Sequence, residues 1–270
     1  MRKLDNTEVK KYILNILCEF AAFCDQNGLR YYLSGGTLLG AVRHKGFIPW
    51  DDDVDLLMPR PDFDKLHDLL RKGNIRPYYK LISLQMGNSF WPFAKIIVKM
   101  VAHFDTVKNE YSNVDQHLWI DIFPMDGLPD DKEESDILLS KAEPLKKWIN
   151  RCSATIGKGK GFVRSIVKIP MILFLRMYTP ERFGRKLDKL AHQYDFDKQE
   201  YIGGVAWSLG PNERMKKKEY LPYNDVEFCG KKFHAPACWK FYLTQIYGDY
   251  MQLPPESKRI NHEFDAYIEG

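Results

Sequence analysis

Between Ser34 and Met58 the chain reads Ser-Gly-Gly-Thr-Leu-Leu-Gly-Ala-Val-Arg-His-Lys-Gly-Phe-Ile-Pro-Trp-Asp-Asp-Asp-Val-Asp-Leu-Leu-Met, with four carboxylates in five positions. A solvated charge run does not lead straight into Val54, Leu56, Leu57 and Met58. This one is carried toward a core, and the apolar positions predict a strand over Trp50 to Met58. Side chains alternate along a strand, so Asp51, Asp53 and Asp55 share one face while Asp52, Val54 and Leu56 share the other. Like charges held together at a buried edge need a cation. Carboxylate oxygens suit a hard divalent ion, Mg2+ or Mn2+, which usually shares its shell with phosphate.

Upstream, Gly35, Gly36 and Thr37 open a predicted helical turn. Glycines let backbone N–H groups approach phosphate oxygens, and a helix N-terminus adds its dipole. Downstream, Asp121 is a lone acid between Ile120 and Ile122 in a second predicted strand, Leu118 to Phe123, stopped by Pro124. If the two strands are neighbours, Asp121 completes the acidic cup, as a further metal ligand or as acceptor of a hydroxyl proton. A solitary Gly-Gly-Thr is a turn, and a solitary Asp-x-Asp is a solvated loop. Together with Asp121 they form a metal clamp facing a phosphate cradle, which is the machinery of phosphoryl or nucleotidyl transfer. Arg43, His44 and Lys45 lie between cradle and acids, where they can meet a diphosphate. Lys95, in an otherwise apolar strand, needs an anion, either phosphate or one of the aspartates.

The rest of the chain supplies a scaffold. Helical spacing runs from Val9 to Phe23, with Asn6 or Thr7 as cap and Gly28 as stop. A helix over Pro61 to Lys72, strands over Tyr78 to Leu84 and Phe93 to Phe104, and helices over Asp131 to Arg151, Phe162 to Tyr178 and Glu181 to Tyr194 follow. A strand near Tyr201 to Trp207, a hairpin turning at Gly230 and a helix ending at Gly248 close the pattern. A strand-rich front (1–130) thus precedes a helix-rich back (131–270). The class is α/β: a mixed sheet with flanking helices and an α-rich C-terminal half. With 44% apolar and 28% charged residues the composition is that of a globular protein, and a net charge of +4 does not indicate nucleic acid. Five cysteines without paired spacing argue for reduced thiols and a cytoplasmic setting. Residues 162–176 are apolar with flanking Arg164, Lys168 and Arg176. They are too short to span a bilayer and read as a core helix or as a peripheral contact at the inner face of the membrane.

Ser34 to Met58 resembles the signature of the LicD family, within the nucleotidyltransferase-fold superfamily and similar to fukutin-related transferases. Trp119-Ile120-Asp121-Ile122-Phe123-Pro124-Met125-Asp126-Gly127, Tyr247-Gly248-Asp249-Tyr250-Met251 and Leu253-Pro254-Pro255 extend the likeness, and Arg259 and His262 fit its tail. The resemblance implies a metal-dependent transferase that moves phosphocholine from CDP-choline to a sugar hydroxyl of a surface-polymer precursor, a lipid-linked glycan of teichoic acid or lipooligosaccharide type. It implies donor phosphate on Gly35, Gly36 and Thr37, metal on Asp53 and Asp55, and Asp121 as third carboxylate. It also makes Arg259 and His262 donor-site candidates. The loop from Thr37 to Asp53 is longer than the superfamily pattern and Asp51 falls at the more usual distance, so the four-acid run leaves the metal pair open, with Val54 and Leu56 favouring Asp53 and Asp55. Another CDP-alcohol, CDP-ribitol or CDP-glycerol, a nucleotidyl transfer, or a non-catalytic nucleotide-binding module are the alternatives. Trp50, Trp91, Trp119 and Trp207 offer material for an aromatic cage around a quaternary ammonium. Cys229, His234, Cys238 and His262 match no standard zinc spacing.

Overall fold

The computed structural model describes residues 1–105, 110–111, 117–152, 179–207, 209–259 and 264–268. Helix α1 (Asn6–Asn27) is capped by Asp5, not by Asn6 or Thr7. The Asp5 carboxylate accepts from the Glu8 N–H at 2.8 Å and Glu8 accepts from the Asp5 N–H at 3.0 Å. Asp5 prevails because it alone of the three has a glutamate three residues on to return the bond. Val9, Ile13, Ile16, Leu17, Phe20 and Cys24 form the buried stripe of α1, and Gly28, in the left-handed region at φ +61°, ends it.

Strands β1 (Arg2–Lys3), β2 (Tyr32–Leu33), β3 (Asp55–Pro59), β4 (Tyr79–Ser83), β5 (Ala94–Asp105), β6 (Glu110–Tyr111), β7 (His117–Leu128), β8 (Tyr201–Gly203), β9 (Met215–Lys216) and β12 (Phe264–Ile268) build the main sheet. Its order is β1-β12-β5-β7-β3-β2. Strands β4 and β6 also lie against β5, and β8 and β9 extend from the end of β7. The pair β3–β7 is parallel and sets Asp55 beside Asp121; β5–β7 is antiparallel and sets Lys95 on the other flank of Asp121. Helices α2 (Gly35–His44) and α3 (Arg60–Lys72) flank β3 in sequence. A separate hairpin of β10 (Tyr223–Phe228) and β11 (Lys231–Pro236) turns through Cys229 and Gly230, both at positive φ, as a tight two-residue turn of this hand requires.

Two strand expectations are corrected. The ladder of β3 begins at Asp55, not at Trp50. Its ladder to β7 opens at the pair Asp55–Asp121 and that to β2 reaches only Leu56 and Leu57, while the Asp51 N–H is drawn back to the Ile48 carbonyl at 2.9 Å. Alternation nevertheless holds in burial: Asp52, Val54 and Leu56 are buried, and Asp51, Asp53 and Asp55 only partly so. Strand β7 runs straight through Pro124. The Asp121 N–H bonds to the carbonyl of Val54, the residue just before β3, so position 124 faces away from β3, where the ladder to β5 has ended at Ile122 and that to β8 begins at Asp126. A missing N–H costs nothing in that gap.

The main core gathers apolar residues from Leu4 to Met125 and from Phe196 to Ala266, so both sides of residue 130 contribute to it. A smaller core packs α4 (Lys132–Cys152) on α5 (Pro180–Ala191) through Leu138, Ala142, Ile149 and Leu187. At the junction of the two, buried Arg60 donates to Asp126 at 2.6 Å, and the other Asp126 oxygen accepts from the Val205 N–H at 3.2 Å. Helices α6 (Lys217–Tyr220) and α7 (Trp239–Tyr247) complete the chain order. Among the described residues no helix is long and apolar enough to cross a membrane. Residues 162–176 and His262 lie outside the described residues.

Candidate active site

The glycines determine how closely α2 meets the acids. Gly35 sits at φ +50°, a conformation L side chains rarely adopt, and a Cβ there would come within 3.6 Å of an Asp55 oxygen. A Cβ on Gly36 would stand 2.7 Å from an Asp51 oxygen. Ser34, in the N-cap position, makes no side-chain cap bond; its hydroxyl meets the Tyr242 hydroxyl at 2.9 Å instead. The first turn of α2 therefore opens against Asp51 and Asp55 without the usual side-chain oxygen over it. Thr37 is buried, and its hydroxyl accepts from the Asp55 N–H at 2.9 Å, tying helix to strand.

Across the sheet, Asp121 is held from two sides. The Trp119 indole N–H donates to one oxygen at 2.7 Å, and Lys95 Nζ stands 3.4 Å from the other, over the Trp119 ring at 4.1 Å. Lys95 is thus a half-buried lysine paired with an anion as its sequence context requires, with Asp121 as the partner. Burial first, then the carboxylates of Asp53, Asp121 and Asp51, push the Asp55 carboxyl well above the usual carboxylate range, against the pull of Lys95. Tyr247 leans on the same acids. Burial and then Asp55, Asp51, Glu213 and Asp53 raise its hydroxyl, which stays protonated as a donor, and its oxygen lies 3.7 Å from the position of a Gly35 Cβ. All-oxygen donors crowded with like charge fit a hard divalent cation in chemistry. Among the described residues no three carboxylate, imidazole or thiolate groups already stand in coordinating geometry.

Beside Gly36 opens a cleft of about 560 Å3, walled by Trp50, Tyr247, Tyr250, Leu253 and Pro254 among others. Arg43 reaches this wall, donating to the carbonyls of Tyr250 at 2.9 Å and Gln252 at 3.3 Å. Arg259 donates to the Pro254 carbonyl at 3.0 Å and lies 4.9 Å from the Trp50 ring. The first motif and the C-terminal motif therefore share one cleft, although some 200 residues separate Arg43 from Tyr250. His44, edge-on to Trp50 at 6.4 Å, is lowered by burial and by Arg43. Lys45 is exposed and caps the C-terminal end of α2, about 15 Å along the axis from Gly35. The structure does not bring it to the acids.

Sequence reasoning gave no site role to Tyr247, Tyr242 or Glu213. Glu213 is buried and accepts from the Leu209 N–H at 2.9 Å and the Tyr242 hydroxyl at 2.8 Å; burial raises it to about 7. A signal for Tyr247 was present in its motif, but nothing in Pro211-Asn212-Glu213-Arg214 distinguishes a buried acid from a solvated turn. The second motif divides by role. Asp121 belongs to the site, whereas Asp126 pairs with Arg60 and Gly127 packs flush on Phe196, where a Cβ would lie 3.0 Å from its Cα.

Residues 28–143 match the family described as LicD/FKTN/FKRP, nucleotidyltransferase domain. The chain is similar to the lipopolysaccharide cholinephosphotransferase LicD of Haemophilus influenzae, 32% identical over 99% of this chain and 100% of that protein. Over a shorter stretch it is similar to the ribitol 5-phosphate transferase FKRP of mouse and human, 47% identical over 18% of this chain and 8% of theirs. By these matches, and by the motifs that converge on Asp55 and Asp121, the chain belongs to the LicD family.

Proposed function

We propose that this protein transfers phosphocholine from CDP-choline to a sugar hydroxyl of a lipid-linked surface-glycan precursor, of lipooligosaccharide or teichoic acid type, with Mg2+ or Mn2+. The observation that carries the reading is the convergence of Asp51, Asp53, Asp55 and Asp121 on the glycine-opened start of α2. The near full-length likeness to a cholinephosphotransferase supports choline as the head group. The short match to ribitol 5-phosphate transferases supports the second reading, another CDP-alcohol on the same machinery.

The N–H groups of Gly35, Gly36 and Thr37 receive the donor diphosphate, and the dipole of α2 favours its charge. Asp53 and Asp55, with Asp51 and Asp121 beside them, would hold the divalent ion, which when bound neutralises the diphosphate and the departing phosphate. The acceptor oxygen attacks the phosphorus that carries choline. The bond from that phosphorus to the bridging oxygen breaks, and CMP leaves with that oxygen. Asp121 takes the hydroxyl proton, held in place by Trp119 and Lys95. Trp50 and Arg259 flank the nucleoside, and Arg43 fixes the 250–252 wall against it. In this reading residues 131–270 complete a site whose acids lie in residues 1–130.

The test is a panel of CDP-choline, CDP-ribitol and CDP-glycerol incubated with acceptor and Mg2+, with CMP followed over time. CMP from CDP-choline, abolished by chelation, is expected. Release of pyrophosphate from a nucleoside triphosphate would assign nucleotidyl transfer instead. Tight donor binding without any turnover would assign a binding module.

A further inference from the structure

Ser34 stands at the N-cap of α2, where a serine hydroxyl normally accepts from the second or third amide of its helix. Its backbone is set for that role. It is extended at φ −130° and ψ 165°. Its carbonyl takes the first helical bond, from the Leu38 N–H at 3.0 Å, and its own N–H donates to the Asp55 carbonyl at 3.1 Å. Only rotation of the side chain is left to select a partner, and the hydroxyl is turned to Tyr242. The Tyr242 hydroxyl has one hydrogen and gives it to Glu213 at 2.8 Å, so in the 2.9 Å contact Ser34 is the donor and the tyrosine oxygen the acceptor. Glu213 is fixed in turn by the Leu209 N–H at 2.9 Å. Ser34, Tyr242 and Glu213 are all buried.

A serine at this position stabilises its helix by capping. Turning it away leaves the Gly36 and Thr37 N–H groups without that oxygen. A diphosphate oxygen and a capping hydroxyl compete for the same hydrogens. We infer that Tyr242, oriented by Glu213, is a positioning residue that holds the Ser34 hydroxyl off the first turn of α2, so that the Gly36 and Thr37 amides stay open to the donor diphosphate. The inference rests on the reading of that turn as the donor cradle. It concerns the diphosphate alone, so donors with different head groups are affected alike.

The experiment measures calorimetric binding of CDP-choline and CDP-glycerol, with Mg2+, in a double-mutant cycle of Tyr242→Phe and Ser34→Ala, with a thermal melt to show that each variant is folded. Tyr242→Phe keeps the ring edge-on to Tyr220 and releases Ser34 to cap α2. It should weaken both donors by roughly 2- to 30-fold, the strength of a serine cap. In the Ser34→Ala background the same substitution should change affinity by less than about 2-fold. Equal losses in both backgrounds, or no loss in either, would overturn the inference, while wild-type donor binding and CMP release keep the transfer reading standing. Amide hydrogen exchange covers a Tyr242→Phe variant that does not fold. Set against the Leu38 amide, the Gly36 and Thr37 amides should exchange at the same rate in the wild type and in Ser34→Ala. Faster exchange in Ser34→Ala would show that Ser34 already caps α2 and would overturn the inference. If the wild type binds no CDP-alcohol, both the inference and the transfer reading fall.

Discussion

Replacing Glu213 by Gln should stabilise the fold at neutral and alkaline pH and do nothing for it in acid. Glu213 is 5% exposed, and its two accepted hydrogen bonds do not offset the water it has lost. Burial raises its carboxyl from the ordinary 4.5 to about 7 in the fold. The folded value lies above the unfolded one, so the fold favours the protonated acid. The stability linked to this group is complete below pH 4.5 and is lost as pH rises through 7. At about 1.4 kcal/mol per pH unit, the rise corresponds to about 3 kcal/mol of penalty once the group is ionised. Gln keeps the shape without the charge. Its carbonyl accepts the Leu209 N–H, and its amide donates to the Tyr242 hydroxyl, which turns to donate to Ser34 Oγ, 2.9 Å away. With an unfolding entropy of about 2 cal/mol/K per residue over the whole chain, 3 kcal/mol is about 5 °C in Tm. Calorimetric melts of both proteins across pH should coincide in the acid range and separate in favour of Gln by about 5 °C in the alkaline range. A pH-independent offset, or a Gln variant that melts lower at alkaline pH, would refute the reasoning.

Other outcomes follow from the same geometry. Asp55→Asn removes one charge from a crowded set, so Tm should rise, by the equivalent of about 1 kcal/mol, while CMP release falls roughly 100-fold or more; an active variant or a less stable one speaks against the acid nest. Arg60→Ala strands the buried Asp126 carboxylate and should cost about 3–5 kcal/mol in denaturant unfolding, and a negligible loss would show that the pair is not structural. Gly40→Ala drives a Cβ to 2.4 Å from the Gly46 carbonyl oxygen, a backbone atom, and should cost about 1–3 kcal/mol by thermal melt; wild-type stability would mean that the α2–loop contact is looser than described.

How much of this was legible in the chain depends on range. The acid run, Asp121 between two isoleucines and Lys95 among apolar neighbours each break a local pattern, and each turned up at the site. The hairpin turn at Gly230 and the stop at Gly28 were equally local. What failed depended on partners elsewhere. The start of β3 is not written in the apolar run: it is the pair Asp55–Asp121 with β7 that opens the ladder. Pro124 was read as a stop because the sequence does not say that β5 ends and β8 begins around it. Asp126 and Asp121 look alike in sequence, and only Arg60, folded in from α3, separates a structural acid from a site acid. Tyr247 reaches the acids, and Arg259 the Trp50 cleft, only through long-range packing.

Anomalous diffraction from crystals soaked with CDP-choline and Mn2+ reads the arrangement itself. The account requires a manganese peak held by oxygens of Asp53 and Asp55, with the diphosphate lying across the Gly35–Gly36 backbone and Asp121 within reach of the phosphorus. A nucleotide seated in the cleft with no manganese among these aspartates, or a peak at a different set of side chains, would contradict it.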